Sequence, residues 1–158
     1  MSFKLVIVES PAKCLKIEKL LGPGYKCIAS YGHIREIKGL DAIGEDFTTT
    51  FTPITSKNKQ IANIRRMAEE ASDVILAADD DREGEAIAWH VSEVLNLPVE
   101  RTKRIIFHEI TESALKKAIT SARTLDMNRV HAQKARQVLD MLVGFRISPI
   151  LWDKISYQ

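Results

Sequence analysis

Five carboxylates and one arginine fall within seven residues, Asp79-Asp80-Asp81-Arg82-Glu83-Gly84-Glu85, and whatever the chain folds into must relieve that crowding. The flanks narrow the choice. Asp73-Val74-Ile75-Leu76-Ala77-Ala78, just before the run, is short and apolar and reads as a buried strand. Glu85 to Leu95, just after it, carries apolar residues at helical spacing. The acidic run therefore occupies a strand-to-helix turn. Carboxylates a few ångströms apart repel unless solvent, cations or raised pKa values intervene. A helix N-terminus relieves only part of this, whereas a divalent cation with hard oxygen ligands, Mg²⁺ above all, relieves much more. Alternate residues of an extended turn project to one side, so Asp79 and Asp81 can share an ion that Glu83 reaches from the first helical turn. A solvated loop capping a helix would account for one or two acids, but an Asp-x-Asp-x-Glu run directly off a buried strand favours the cation. A helix-loop-helix calcium loop does not fit, because its twelfth position requires a bidentate glutamate and here holds His90.

The first residues repeat the same device. Phe3 to Val8 reads as a strand, and Glu9-Ser10-Pro11-Ala12-Lys13 opens a helix, with Ser10 suited to the N-cap and Pro11 to the first helical position. Cys14, Ile17, Leu20 and Leu21 supply a buried face, and Gly22-Pro23-Gly24 ends the element. Glu9 thus leaves its strand at the carboxyl end, as Asp79 leaves its own. In an open parallel sheet those ends line one edge, where ligands bind. If the strands are neighbours, Glu9 meets Asp79 and Asp81, and a catalytic glutamate becomes a better reading than an idle strand-exit residue. Lys13, one turn on, faces the same edge and can bind phosphate with the helix N-terminus.

The remaining elements follow an α/β order. Tyr25 to Ser30 predicts a second strand, Tyr31 to Glu36 a loop or short extended piece, and Glu36 to Thr55 an irregular insertion with one extended segment near Phe47 to Phe51. Lys57 to Ala71 predicts a helix turning Ile61, Ile64, Met67 and Ala68 inward. Arg101-Thr102-Lys103-Arg104 reads as a basic cluster entering a strand, Ile105-Ile106-Phe107, and Thr111 as the cap of a helix burying Ala114, Leu115, Ala118 and Ile119. Arg123 to Asp126 reads as a linker. A long helix capped by Asp126 then buries Ala135, Val138, Leu139, Leu142 and Phe145, with a polar stripe of Arg129, Gln133, Arg136 and Asp140. Gly144 and Pro149 are expected to end it before a short helix carrying Leu151 and Trp152, so the chain reads as cut soon after a new element begins.

Bulk properties bound the function. With 158 residues, 45% hydrophobic and 28% charged, the chain can bury one domain and the start of another. A net charge of +2 leaves nucleic-acid contacts to local clusters. Cys14 and Cys27 form no Cys-x-x-Cys motif and read as reduced thiols, and the apolar run Leu5 to Val8 is too short for a signal peptide or membrane span. A soluble intracellular protein without a membrane partner is expected.

Taken together, these motifs resemble the N-terminal part of a type IA DNA topoisomerase of the bacterial topoisomerase I kind. The resemblance rests on Leu5 through Lys13, Ser30-Tyr31-Gly32-His33-Ile34-Arg35, Asp79 through His90, Phe107-His108-Glu109-Ile110-Thr111, and Gln133 through Asp140 with Gly144, Ser148, Pro149 and Trp152. It covers essentially the whole chain. It implies a toprim domain over residues 1–122, a Rossmann-like parallel sheet flanked by helices, followed over 123–158 by the helical start of a domain that helps hold single-stranded DNA. By position, it implies Glu9 as proton donor and acceptor beside the scissile phosphate and as a metal ligand. Asp79, Asp81 and Glu83 would hold Mg²⁺, and Lys13 would stabilise phosphate charge. His33, Arg82, Arg136, Gln137, Asp140 and Arg146 fall where DNA contacts are expected. The implied partner is a single-stranded segment of negatively supercoiled DNA, bound by a monomer in the cytoplasm or nucleoid. Three departures stand out. Asp80 adds a charge where the family more often has none, and Gln137 and Met141 replace common arginines. The family also cleaves DNA with a tyrosine of a later domain, a context that Tyr25, Tyr31 and Tyr157 lack, so this chain alone is expected to be inactive. A toprim-type nuclease or primase would reuse the same acids, and a phospho-acceptor signalling domain would also cluster aspartates in an α/β fold.

Overall fold

The computed structural model describes residues 2–39, 42–44 and 49–156, with 145–156 as backbone alone. The chain runs β1 (Lys4–Val8), α1 (Cys14–Leu21), β2 (Tyr25–Ala29), β3 (Arg35–Glu36), β4 (Thr52–Pro53), α2 (Asn58–Glu70), β5 (Asp73–Leu76), α3 (Arg82–Val94), β6 (Lys103–Arg104), α4 (Glu112–Thr120) and α5 (Met127–Ser156). Four strands form a parallel sheet in the order β2-β1-β5-β6, and β3 pairs antiparallel with β4 apart from it. The α/β class with a parallel sheet between helices, and a helical segment after it, is as the sequence predicts.

Strand periodicity explains the layering. Successive side chains of a strand point to opposite faces. Leu5 and Ile7 of β1 therefore join one buried cluster with Ile61 and Ile64 of α2, Ala88 and Val91 of α3, and Val130 of α5. Val6 and Val8 join the other, with Ile17 of α1 and Leu115 and Ala118 of α4. Both faces are thus covered, which is what an all-parallel sheet requires. The chain moves from β1 outward to β2, then returns to β5 on the other side of β1. Between β1 and β5 the winding reverses, and a crevice opens beyond their carboxyl ends.

Several expectations need correction. Ser10 has the extended backbone of an N-cap but makes no capping hydrogen bond, because Pro11–Lys13 form a 3₁₀ turn before α1 begins. The last strand is Lys103–Arg104, two residues earlier than expected, since Ile75 and Leu76 pair with those two residues. Arg123 to Asp126 is no free linker, for Arg123 bridges Arg104 and exchanges backbone hydrogen bonds with it at 2.6 and 3.0 Å. The expected extended segment near Phe47 to Phe51 falls partly outside the described residues, while the pairing found lies at Thr52–Pro53.

α5 differs most. Its backbone stays helical through Gly144 and Pro149 to Ser156, and a lone glycine costs only about 1 kcal/mol, too little to end so long a helix. It packs on α3 through Val130, and on the expected core face Val138 is buried while Ala135 and Leu139 are exposed, Leu139 by 60%. Among the described residues, no helix is long and apolar enough to cross a membrane.

Candidate metal and phosphate site

Register brings the two acidic strand exits together. Ile7 of β1 pairs with Leu76 of β5, and the Ala77 amide still donates to the Ile7 carbonyl at 2.8 Å. The residues that follow therefore emerge side by side, and Glu9 Oε1 accepts the Asp79 amide at 2.7 Å. Partial burial pushes the Glu9 carboxyl above its ordinary pKa; the Asp79 amide opposes that shift, and repulsion from Asp79, Asp81 and Glu83 adds to it. A proton or a cation would relieve this site.

The acidic bend is built by its own backbone. Asp81 N donates to the Asp79 carbonyl at 3.0 Å, and the Asp81 side chain caps α3 by accepting the Gly84 amide at 2.6 Å. The turn closes so tightly that a Cβ on Gly84 would lie 2.1 Å from the Asp79 carbonyl oxygen. Asp79 is exposed and lies 3.8 Å from Lys13 Nζ, and Glu83 Oε1 lies 3.3 Å from His33 Nε2. Asp80, the extra acid, turns away from Glu9. Its Oδ1 accepts from Arg129 of α5 at 2.7 Å, and Oδ2 lies 4.0 Å from His108. The Arg129 hydrogen bond holds Asp80 below the usual carboxylate range. Lys13, Ala77, Ala78, Asp79, Asp80, Phe107 and His108 line a polar cleft of about 320 Å³ at this edge.

Glu9, Asp79, Asp81 and Glu83 thus share one sheet edge. Among the described residues, no three histidine, cysteine or carboxylate groups converge on a single point, each of these acids having one of the partners just named. The donor set nonetheless suits a hard divalent cation: all oxygen, partly solvated, with an innermost member whose pKa is raised by burial and further by repulsion from the others.

The residues expected to touch DNA divide into groups. His33, Gln137 and Asp140 line one pocket of about 340 Å³ together with Arg35, Glu36, Ile37, Ile54 and Met141. Its walls carry three buried polar atoms without a partner, His33 Nδ1, Arg35 Nη2 and Gln137 Oε1. Arg136 is exposed on α5 and lies 3.8 Å from Asp140. Arg82 is exposed on the first turn of α3, beside the acidic bend. The Arg146 side chain lies outside the described residues.

Sequence reasoning missed a buried ionic group beneath the bend. Arg104, expected in a basic cluster entering a strand, is fully buried, as is Glu85. Arg104 Nε donates to Glu85 Oε1 at 3.0 Å, and Arg123 and the Asp126 amide donate to the same carboxylate. Nothing in the local sequence marks Arg104; only its place next to Leu76 on the neighbouring strand does.

A family model described as Toprim domain matches residues 4–110. The fold is also similar to that of full-length topoisomerase I from Thermotoga maritima, with a TM-score of 0.86 and 40% sequence identity. The match covers 94% of this chain and 26% of that one, so this chain spans about a quarter of the length of that topoisomerase. The resemblance to topoisomerase I drawn from the motifs is matched by this likeness in fold. On the family match over most of its length, the chain belongs to the Toprim domain family.

Proposed function

We propose that this chain is the Mg²⁺-holding, N-terminal part of a type IA DNA topoisomerase, an isomerase that relaxes negatively supercoiled DNA by transient single-strand cleavage. The observation that carries the proposal is the 2.7 Å contact between Glu9 and the Asp79 amide, at the carboxyl ends of adjacent strands where the winding reverses. The T. maritima likeness supports the assignment to a topoisomerase.

In this reading Asp79, Asp81 and Glu83 hold Mg²⁺, with Glu9 as a further ligand. The ion supplies positive charge between the carboxylates and a DNA phosphate. Glu9 takes and returns a proton at its carboxylate beside the scissile phosphate, a task suited to its raised pKa. Lys13, at the same edge, neutralises phosphate oxygens. His33, Arg82, Arg136, Gln137, Asp140 and Arg146 contact a single-stranded segment; the three unpaired polar atoms around the His33–Gln137 pocket favour a polar ligand there. The sheet domain extends through residue 122, and 123–158 begin a helical DNA-holding domain, whose long helix α5 starts against the sheet layers at Val130 and runs on to Ser156. The protein acts as a monomer inside the cell, bound to DNA.

Tyr25 ends its side chain among the residues packed on α1 and β2, far in role from a nucleophile, and strand cleavage in this reading needs a tyrosine supplied by another domain. The test uses the purified chain, negatively supercoiled plasmid and Mg²⁺. The expected result is no change in linking number, together with calorimetric Mg²⁺ binding that Asp79→Asn with Asp81→Asn abolishes. Plasmid relaxation, or no Mg²⁺ uptake by the unaltered chain, overturns the proposal. Mg²⁺-dependent nicking would favour a toprim nuclease and primer synthesis a primase.

A further inference from the structure

We infer that Arg104 is a positioning residue for the acidic bend, holding the backbone of Ala78 and Asp79 so that the Asp79 amide meets Glu9. The inference rests on the metal reading proposed above, but its backbone part stands independently. Arg104 comes from β6, one strand away, and reaches under the exit of β5. Nη1 donates to the Ala78 carbonyl at 2.6 Å and to its neighbour Ile105 at 2.9 Å, and Nη2 donates to the Asp79 carbonyl at 2.6 Å. The sheet ladder has ended here, so the buried Ala78 carbonyl would otherwise be left without a strand partner, which is costly, while the Asp79 carbonyl also accepts from Asp81 N at 3.0 Å. The planar fork of a guanidinium can hold two successive carbonyls at once, and a lysine ammonium cannot reproduce that geometry.

Glu85 completes the arrangement and stands apart from the candidate ligands. Its Oε1 accepts from Arg104 Nε and Arg123 Nη2, both at 3.0 Å. Its Oε2 accepts from Arg123 Nη1 at 3.1 Å and the Asp126 amide at 2.8 Å. Burial works against its charge, yet the bonds from Arg123, Asp126 and Arg104 prevail and hold its pKa below the usual carboxylate range. Although it closes the acidic run, Glu85 lies two residues beyond Glu83 on α3, and residues two apart do not share a helix face. It is the counter-ion of Arg104 and ties the entrance of α5 to the bend. The last acid of the motif is thus a support for the others.

Hydrogen exchange and Mn²⁺ titration on the unaltered chain and on Arg104→Lys test this. In Arg104→Lys, the amides of Asp79, Asp81 and Gly84 should exchange at least about tenfold faster while those of α1 and α4 keep their rates, and Mn²⁺ affinity should fall by about tenfold, as supporting partners of ligands typically cost. Unchanged exchange at the bend overturns the positioning role, as does a uniform rise across the chain, which would mean a general loss of stability. Should Arg104→Lys not fold, the unaltered chain still decides: the Arg104 Nη–H resonances, which donate to the Ala78 and Asp79 carbonyls, should exchange slowly and shift on adding Mg²⁺ together with the Asp79 and Asp81 amides. Amides that shift without Arg104 overturn the coupling. If nothing shifts on adding Mg²⁺, the metal reading fails, and slow or fast Arg104 exchange alone then judges the backbone role.

Discussion

Acidification should destabilise this protein through one buried imidazole. His90 lies on α3 with no exposed surface, and its Nδ1 accepts a hydrogen bond from Arg35 Nε at 2.9 Å. Arginine can only donate, so the ring proton sits on Nε2. The ring packs edge-on to Phe51 at 4.6 Å, and the Arg35 guanidinium lies 4.9 Å from the Trp89 ring centre. Burial, followed by the charges of Arg35, His33 and Lys134, pushes the His90 pKa down from 6.5 to about 3. The unfolded chain therefore binds a proton that the folded chain refuses throughout that window. Stability from His90 is fully present above the unfolded pKa and is lost as pH falls toward the folded one. Linkage gives a loss of about 1.4 kcal/mol from about pH 7.5 to about pH 5.5, and about 2.7 kcal/mol by about pH 4.5. Glu9, whose pKa is raised, contributes with the opposite sign, and Asp80 and Glu85, whose pKa values are lowered, with the same sign nearer the acid end. Urea unfolding followed by circular dichroism, compared between the unaltered chain and His90→Gln, cancels those carboxylates. The glutamine amide oxygen can still accept from Arg35 but takes no proton. The difference in stability between the two chains should shrink by the stated amount as pH falls. Parallel pH profiles would refute the assignment of this term to His90.

Three substitutions probe the bend. Gly84→Ala would stabilise an ordinary helix, but here its Cβ meets the Asp79 carbonyl oxygen at 2.1 Å, so urea unfolding should show a loss of about 1–3 kcal/mol; a gain in stability would contradict the tight closure. Asp81→Ala removes the cap on Gly84 N and should cost about 1 kcal/mol without metal, whereas Asp81→Asn, an equally good cap, should keep stability but weaken Mn²⁺ binding. Equal Mn²⁺ affinity in Asp81→Asn and the unaltered chain would remove Asp81 from the ligand set.

Local pattern was enough to find the acidic edge. The apolar run Leu5 to Val8 and the one before Asp79 each specify a buried strand, and a parallel sheet puts strand exits on one edge. Glu9 and Asp79 were therefore legible as acids on one edge, but that their strands are neighbours came only with the structure. The caps at Asp126 and Thr111 were legible for the same reason, since a cap bonds to amides two or three residues away. What the sequence misplaced depends on distant partners. Arg104 reads as one of a basic cluster because no local rule distinguishes a solvated arginine from one that Glu85, Ala78 and Asp79 surround. Leu139 reads as core because helical periodicity identifies an apolar stripe without saying how much of it a neighbour covers, and here Val138 of that stripe is buried while Leu139 is not. Asp80 counted as one more repelling acid until α5 brought Arg129 to it. Short-range spacing determines which groups are near in the chain, whereas burial and ion pairing depend on contacts between residues tens of positions apart, and only the packed structure decides those.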